Sequence, residues 1–186
     1  MKKYEFTGEV KRIKLIGTEV VLRRIRAVTA FGAVKAGDIG GWIEKEENLS
    51  HDGSAWVHGN AEVYGDAWVY GDAWVHGNAE VYGNARVYGD ARVCGDARVC
   101  GDAEVYSVNH IFSIGPVGSR NEYTTFYRNK NEKIEVRCGC FNGIIEEFLE
   151  KVAETHGENK HASVYRAAAE IAKLQIEPLS TDEEAE

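Results

Sequence analysis

Between Val57 and Val105 a valine returns at every sixth position, and an alanine follows four positions after each valine up to Val99, from Ala61 to Ala103. Along an extended segment successive side chains point to opposite sides. The order alanine in, variable out, valine in, variable out therefore describes one short strand with a single apolar face. Gly-Asp or Gly-Asn completes each hexad, and these residues tolerate the dihedrals of a tight corner. A hexad is too short to bury its own apolar face, so hexads must stack on one another.

The interval at which the sequence best repeats itself sets the size of one coil. Residues 57–74 share 12 of 18 identities with the stretch 6 residues on, 10 with that 12 on, and 15 with that 18 on. Three hexads per coil predict a three-sided prism with one strand and one corner per hexad. Towards the N-terminus the pattern fades: His51–Trp56 keeps its glycine and alanine, while Leu49 and Ile43 fall at the alanine position.

The flanks carry other patterns. Two alternating stretches, Tyr4 to Ile13 and Glu19 to Val28, predict a β-hairpin that caps the open end of the prism. Its run Arg23, Arg24, Arg26 reads as one solvated strand face, with an anion site as the alternative. After Tyr106, residues 114–121 read as a loop, and Tyr123–Arg128 and Lys133–Cys138 as paired strands. A helix is expected to start at Asn142 and end near Gly157, and a second to be capped by Asn159. The chain thus divides into an N-terminal β cap (1–38), a hexapeptide β-helix (39–106), a small α+β domain ending in a helical hairpin (107–177), and an acidic tail expected to be disordered (178–186).

Composition fits this division. Eleven of the 20 glycines and all four tryptophans lie in residues 39–106, and only 2 prolines occur, which excludes collagen and proline-rich linkers. The net charge of −8 resolves into +5, −8 and −5 for residues 1–38, 39–106 and 107–186. An acidic prism disfavours direct binding to nucleic-acid backbones or anionic membrane. No apolar run is long enough to span a bilayer, and Lys2-Lys3 is not followed by a signal-peptide core. The 4 cysteines have no disulfide-framework spacing, so a cytoplasmic protein with reduced thiols is expected.

The hexads resemble those of left-handed parallel β-helix proteins, in which an aliphatic and a small residue four positions later point inward. The left hand is taken from that resemblance. On such a prism the outward residues fall on three faces. Trp56, His58, Trp74 and His76 share one; Glu62, Tyr64, Glu80 and Tyr82 a second; Trp68, Tyr70, Arg86 and Tyr88 the third. The exposed aromatic area has three explanations: self-association into a dimer or trimer, a ligand or partner surface, or strand-favouring residues covering the corners. Arg86, between Trp68 and Tyr88, is placed for cation–π contacts.

Many proteins with this repeat are acyltransferases that pair a catalytic histidine with a coenzyme A cleft between neighbouring prisms. The resemblance makes His58 and His76 the candidate bases, although no inserted loop interrupts the hexads to build a pocket. The later segment holds the remaining candidates. Gly115, Gly118, Ser119, Arg120, Thr124 and Thr125 are of the types that cradle a phosphate or carboxylate. Cys138, Cys140, His156 and His161 form a candidate zinc set or a cysteine–histidine pair, but Cys-x-Cys matches the usual zinc spacing poorly.

Taken together, Gly-Gly-Trp-Ile-Glu-Lys-Glu-Glu-Asn-Leu (40–49), the hexads, Gly-Ser-Arg-Asn (118–121), Thr-Thr-Phe (124–126) and Cys-Gly-Cys-Phe (138–141) look like a group of phage and prophage proteins of gut bacteria. That resemblance brings no activity with it. It implies accessory proteins that bind a host-defence protein or a signalling nucleotide. The expectation is a non-enzymatic, oligomeric binding protein without a cofactor, whose partner is a host protein or a small anionic ligand. An acyl-CoA-dependent acyltransferase is the second reading. A nucleic-acid mimic built on Asp66, Asp72, Asp90, Asp96 and Asp102 is the third, weakened by Asn60, Asn78 and Asn84 in the same columns.

Overall fold

The computed structural model describes residues 2–15 and 17–176, so the acidic tail lies outside the described residues. The chain forms two compact units, Met1–Val108 and Asn109–Glu186.

The first unit opens with β1 (Tyr4–Leu15) and β2 (Thr18–Ala27), an antiparallel hairpin, followed by β3 (Ile39–Ile43). Each hexad then contributes a two-residue strand: β4 (Trp56–Val57), β5 (Glu62–Val63), β6 (Trp68–Val69), β7 (Trp74–Val75), β8 (Glu80–Val81), β9 (Arg86–Val87), β10 (Arg92–Val93), β11 (Arg98–Val99) and β12 (Glu104–Val105). Strands 18 residues apart pair in parallel, as in Trp56 with Trp74 and Trp68 with Arg86, which gives three faces. Val57 to Val105 and Ala61 to Ala103 line the interior and are at most 1% exposed. At the corners glycine is obligatory: Gly77 sits at φ +80°, and a Cβ there would lie 2.9 Å from the backbone nitrogen and oxygen of Gly95.

The hairpin continues one face, in the order β1-β2-β3-β5-β8-β11, and so covers the sheet edge that the first coil would otherwise expose. Its arginines are occupied as a strand face. Arg26 pairs with Glu5, Arg24 lies 5.1 Å above the Trp42 ring, and Arg23 donates to the Glu44 carbonyl. The first coil differs from the later ones. Ile43 pairs with Val63 and Leu49 with Val69, so both occupy the valine position and not the alanine position expected from spacing. Two extra residues in the corner at 50–54 account for the shift.

That corner is held from the cap. The Lys3 ammonium donates to the carbonyls of Asp52 and Gly53 (3.4 Å each) and lies 4.9 Å from the Phe31 ring centroid, while His51 stacks on Tyr4 at 4.3 Å. Burial lowers the Lys3 pKa to about 8, against the weaker pull of Asp52 and Asp72. The unfolded chain therefore binds more protons than the folded chain between pH 8 and the ordinary lysine value. Stability of the first unit is expected to rise by about 1–2 kcal/mol from pH 8 to 10. Urea titrations across that range check this, and Lys3→Met should flatten the rise.

The second unit is an antiparallel meander of β13 (Ile111–Val117), β14 (Glu122–Arg128), β15 (Ile134–Cys138) and β16 (Phe141–Ile144), followed by α1 (Ile145–His156) and α2 (Lys160–Gln175). Two expectations change here. Residues 114–117 are strand and not loop, because β13 is an edge strand, where a proline forfeits no ladder bond. Asn142 pairs with Arg137 in β16, and α1 starts at Ile145, with the Glu147 carboxylate accepting from the Ile144 N–H at 3.3 Å. Asn159 caps α2 as expected, accepting from the N–H groups of His161 and Ala162. Phe126, Val136, Phe148, Val152, Tyr165 and Ala169 form the core between sheet and helices.

Candidate functional site

In a four-stranded meander the first and third turns emerge at the same end. Here those turns are Gly118–Asn121, between β13 and β14, and Gly139–Cys140, between β15 and β16. The end of α1 and the start of α2 return to that end, bringing His156, His161 and Tyr165 with them. Between these parts lies a pocket of about 260 Å³. Ser119, Arg120, Cys138, Cys140 and His156, five residues singled out by sequence, line it together.

The first turn is fastened from beneath by Tyr165. Gly118 adopts φ +74°, and the space its Cβ would take is filled by the Tyr165 hydroxyl, 1.8 Å away. The phenol pKa is raised by burial and by Cys138, which also shares a hydrogen bond with it; bonds from the Ser119 N–H and hydroxyl act in the opposite direction. Tyr165 thereby links the two turns. Arg120 and Glu122 flank the second turn, each with a polar atom 3.2 Å from where a Gly139 Cβ would stand.

Rings form the wall. Phe141 and Phe148 are 5.4 Å apart between centroids, Phe148 and Tyr165 5.6 Å, and Tyr165 and His156 5.7 Å. His161 continues the series at 5.8 Å from His156. Lys151 and Thr155 add a polar side from α1.

Other candidates take different places. Thr124 and Thr125 are buried in β14: Thr124 donates to the Cys138 sulfur at 3.2 Å and Thr125 accepts from the Ser113 hydroxyl at 3.3 Å, and neither lines the pocket. Among the described residues no three His, Cys, Asp or Glu side chains converge as a metal-binding group.

On the prism, Trp56 is a correction to the aromatic surface expected from sequence. It is 1% exposed, packed under the cap between Tyr4 and Phe31. Trp74 is half-buried, whereas Trp68 is 42% exposed and stacks on Tyr70 at 4.0 Å. Tyr70 in turn stacks on Tyr88 at 4.7 Å. Arg86 reaches Glu104 on the next coil at 3.8 Å. His58 is exposed and His76 half-buried, one coil apart in a single column, and the pairings on either side keep their 18-residue step without an inserted loop. The corner carboxylates are bridged along the columns: Asn78 donates to Asp96, Asn84 to Asp102 and Ser54 to Asp72.

Tyr165 and Lys151 are the residues that sequence reasoning missed. Tyr165 has the spacing of a core residue in an amphipathic helix, and Lys151 that of a solvated one. The available signal was Gly118, whose neighbours give no reason for a second glycine three residues after Gly115.

Comparison with known proteins agrees with the geometry of the first unit. A family described as the YdcK beta solenoid repeat matches residues 61–77 and 79–95. This chain carries a β-solenoid. It is also 37% identical over 62 residues to a protein named as an uncharacterized acetyltransferase, YdcK, of Escherichia coli strain K12. That likeness covers 31% of this chain and 19% of the relative, so the chain spans a small part of its relative's length. No helix among the described residues is long and apolar enough to cross a membrane.

Proposed function

We propose that the chain is a non-enzymatic binding protein, in which the β-solenoid is a rigid scaffold and the pocket of the second unit is the recognition site. One observation carries this reading: the two turns that the sequence marks, Gly-Ser-Arg-Asn and Cys-Gly-Cys, meet at one ring-lined pocket with a cationic side. The partner class is a small anionic ligand or a host protein, and the setting is that of a phage accessory protein acting against host defence. The stacked Trp68–Tyr70–Tyr88 face supports self-association into a dimer or trimer.

Affinity purification from bacterial cells tests the proposal, with proteins and small molecules both read by mass spectrometry. A species captured by the full chain and lost from a Lys151→Ala, His156→Ala variant is the expected result. Identical recovery with both chains overturns it.

The relative's name as an acetyltransferase favours a second reading, acyl transfer on the solenoid with His76 as base. Acetyl-CoA would then raise the melting temperature saturably, and His76→Ala would abolish the shift.

A further inference from the structure

We infer that the pocket of the second unit takes a compound of the nucleoside monophosphate class, its ring on the aromatic wall and its phosphate at Arg120. The inference rests on the pocket being the recognition site, and it narrows the ligand by size, shape and charge.

At about 260 Å³ the cavity lies just below the usual range for ligand pockets, roughly 300–1,000 Å³. One base with its sugar fills such a space, and a dinucleotide exceeds it. Phe148 and Tyr165 are at most 6% exposed and stand edge to face at 86°, so the half-buried rings of Phe141 and His156 are the surfaces open to a flat aromatic guest.

Charge selects further. Arg120 makes no ion pair or hydrogen bond among the described residues, although Glu122 stands across Gly139 from it. A guanidinium free to bind two oxygens suits a phosphate. Lys151, on the α1 side, reaches Glu154 at 2.9 Å. Glu122 is an acceptor for a ring N–H or a sugar hydroxyl, and its charge opposes further phosphates. With Lys151 shared by Glu154, Arg120 is the cation the pocket offers a phosphate, and Glu122 beside it makes an aromatic amino-acid zwitterion the competing guest.

Calorimetric titration of the full chain with AMP, GMP, CMP and UMP tests the inference, with the four nucleosides, inorganic phosphate and tryptophan as comparisons. At least one monophosphate should bind saturably, and its nucleoside at least about tenfold more weakly. Arg120→Gln, an exposed substitution that leaves the core intact, should weaken the monophosphate about tenfold and leave the nucleoside unchanged.

Three results would overturn the assignment: no monophosphate binding at millimolar concentration, a nucleoside as tight as its monophosphate, or tryptophan tighter than both. If those results coincide with pocket-dependent capture from cells, the ligand class is wrong and the recognition site stands. If capture is also independent of the pocket, both fail.

Discussion

Trp56→Ala is expected to destabilise the first unit by about 3–5 kcal/mol, the range for deleting a large buried aromatic side chain. Trp56 is 1% exposed and is the largest fully buried side chain among the described residues. It touches Tyr4 and Phe31 of the cap, and its own strand pairs with Trp74 of the next coil. Its loss opens a cavity at the junction of hairpin and solenoid, where Lys3 and His51 hold the widened corner. Trp56→Phe should be far milder. The indole N–H is buried without a hydrogen-bond partner, so the ring loses area but also sheds an unpaired donor. Urea unfolding followed by circular dichroism separates the two variants. Equal losses in both would show that a phenyl ring does not fill the site, and would overturn the expectation.

Gly118→Ala is expected to destroy the pocket and to cost the second unit about 2–5 kcal/mol, combining a left-handed backbone with overpacking. The new Cβ would stand 1.8 Å from the Tyr165 hydroxyl and 2.2 Å from the ring carbon that bears it. Tyr165→Phe in the same chain would therefore not rescue it, because the ring carbon still blocks the site. Either the turn or α2 has to move, and Ser119 and Arg120 move with the turn. Hydrogen exchange should show faster opening around residues 117–121 and 162–166. A variant with wild-type exchange and intact ligand capture would show that the turn tolerates the methyl group.

The solenoid was legible because its constraint is periodic: every valine and alanine of residues 57–105 repeats one requirement, and eighteen-residue similarity gives the coil. Ile43 and Leu49 mark where that logic stopped. A two-residue widening of one corner moves both from the alanine to the valine position, and periodicity has no means of placing an insertion once the glycines grow irregular. Gly115-Pro116 and Asn142 misled for another reason. Each is a sound turn or cap signal taken alone, and each was overridden by pairing with a neighbouring strand. Trp56 looked outward by parity, as it does on the prism, but the cap covers it. The pocket was legible only as scattered residues. Ser119, Arg120, Cys138, Cys140 and His156 were each visible, but their meeting depends on the meander returning its turns to one end, and Tyr165 joins them through a contact that sequence spacing assigns to packing.

The uniform step between Ala55 and Val105 also governs how the chain tolerates changes in length. Removing residues 57–74 takes out one complete circuit, so every remaining strand finds the partner it would have had, and the rod shortens by about one 4.8 Å rung. Removing six residues instead turns everything downstream by a third of a circle. With residues 57–62 removed, Trp68 would take the place of Glu62 opposite Trp42, and the Ser54–Asp72 bond across the deletion would be lost. Such a protein can gain or lose length in whole circuits, and the widened corner at residues 50–54, matched to Lys3 and Tyr4, fixes the end from which that counting begins.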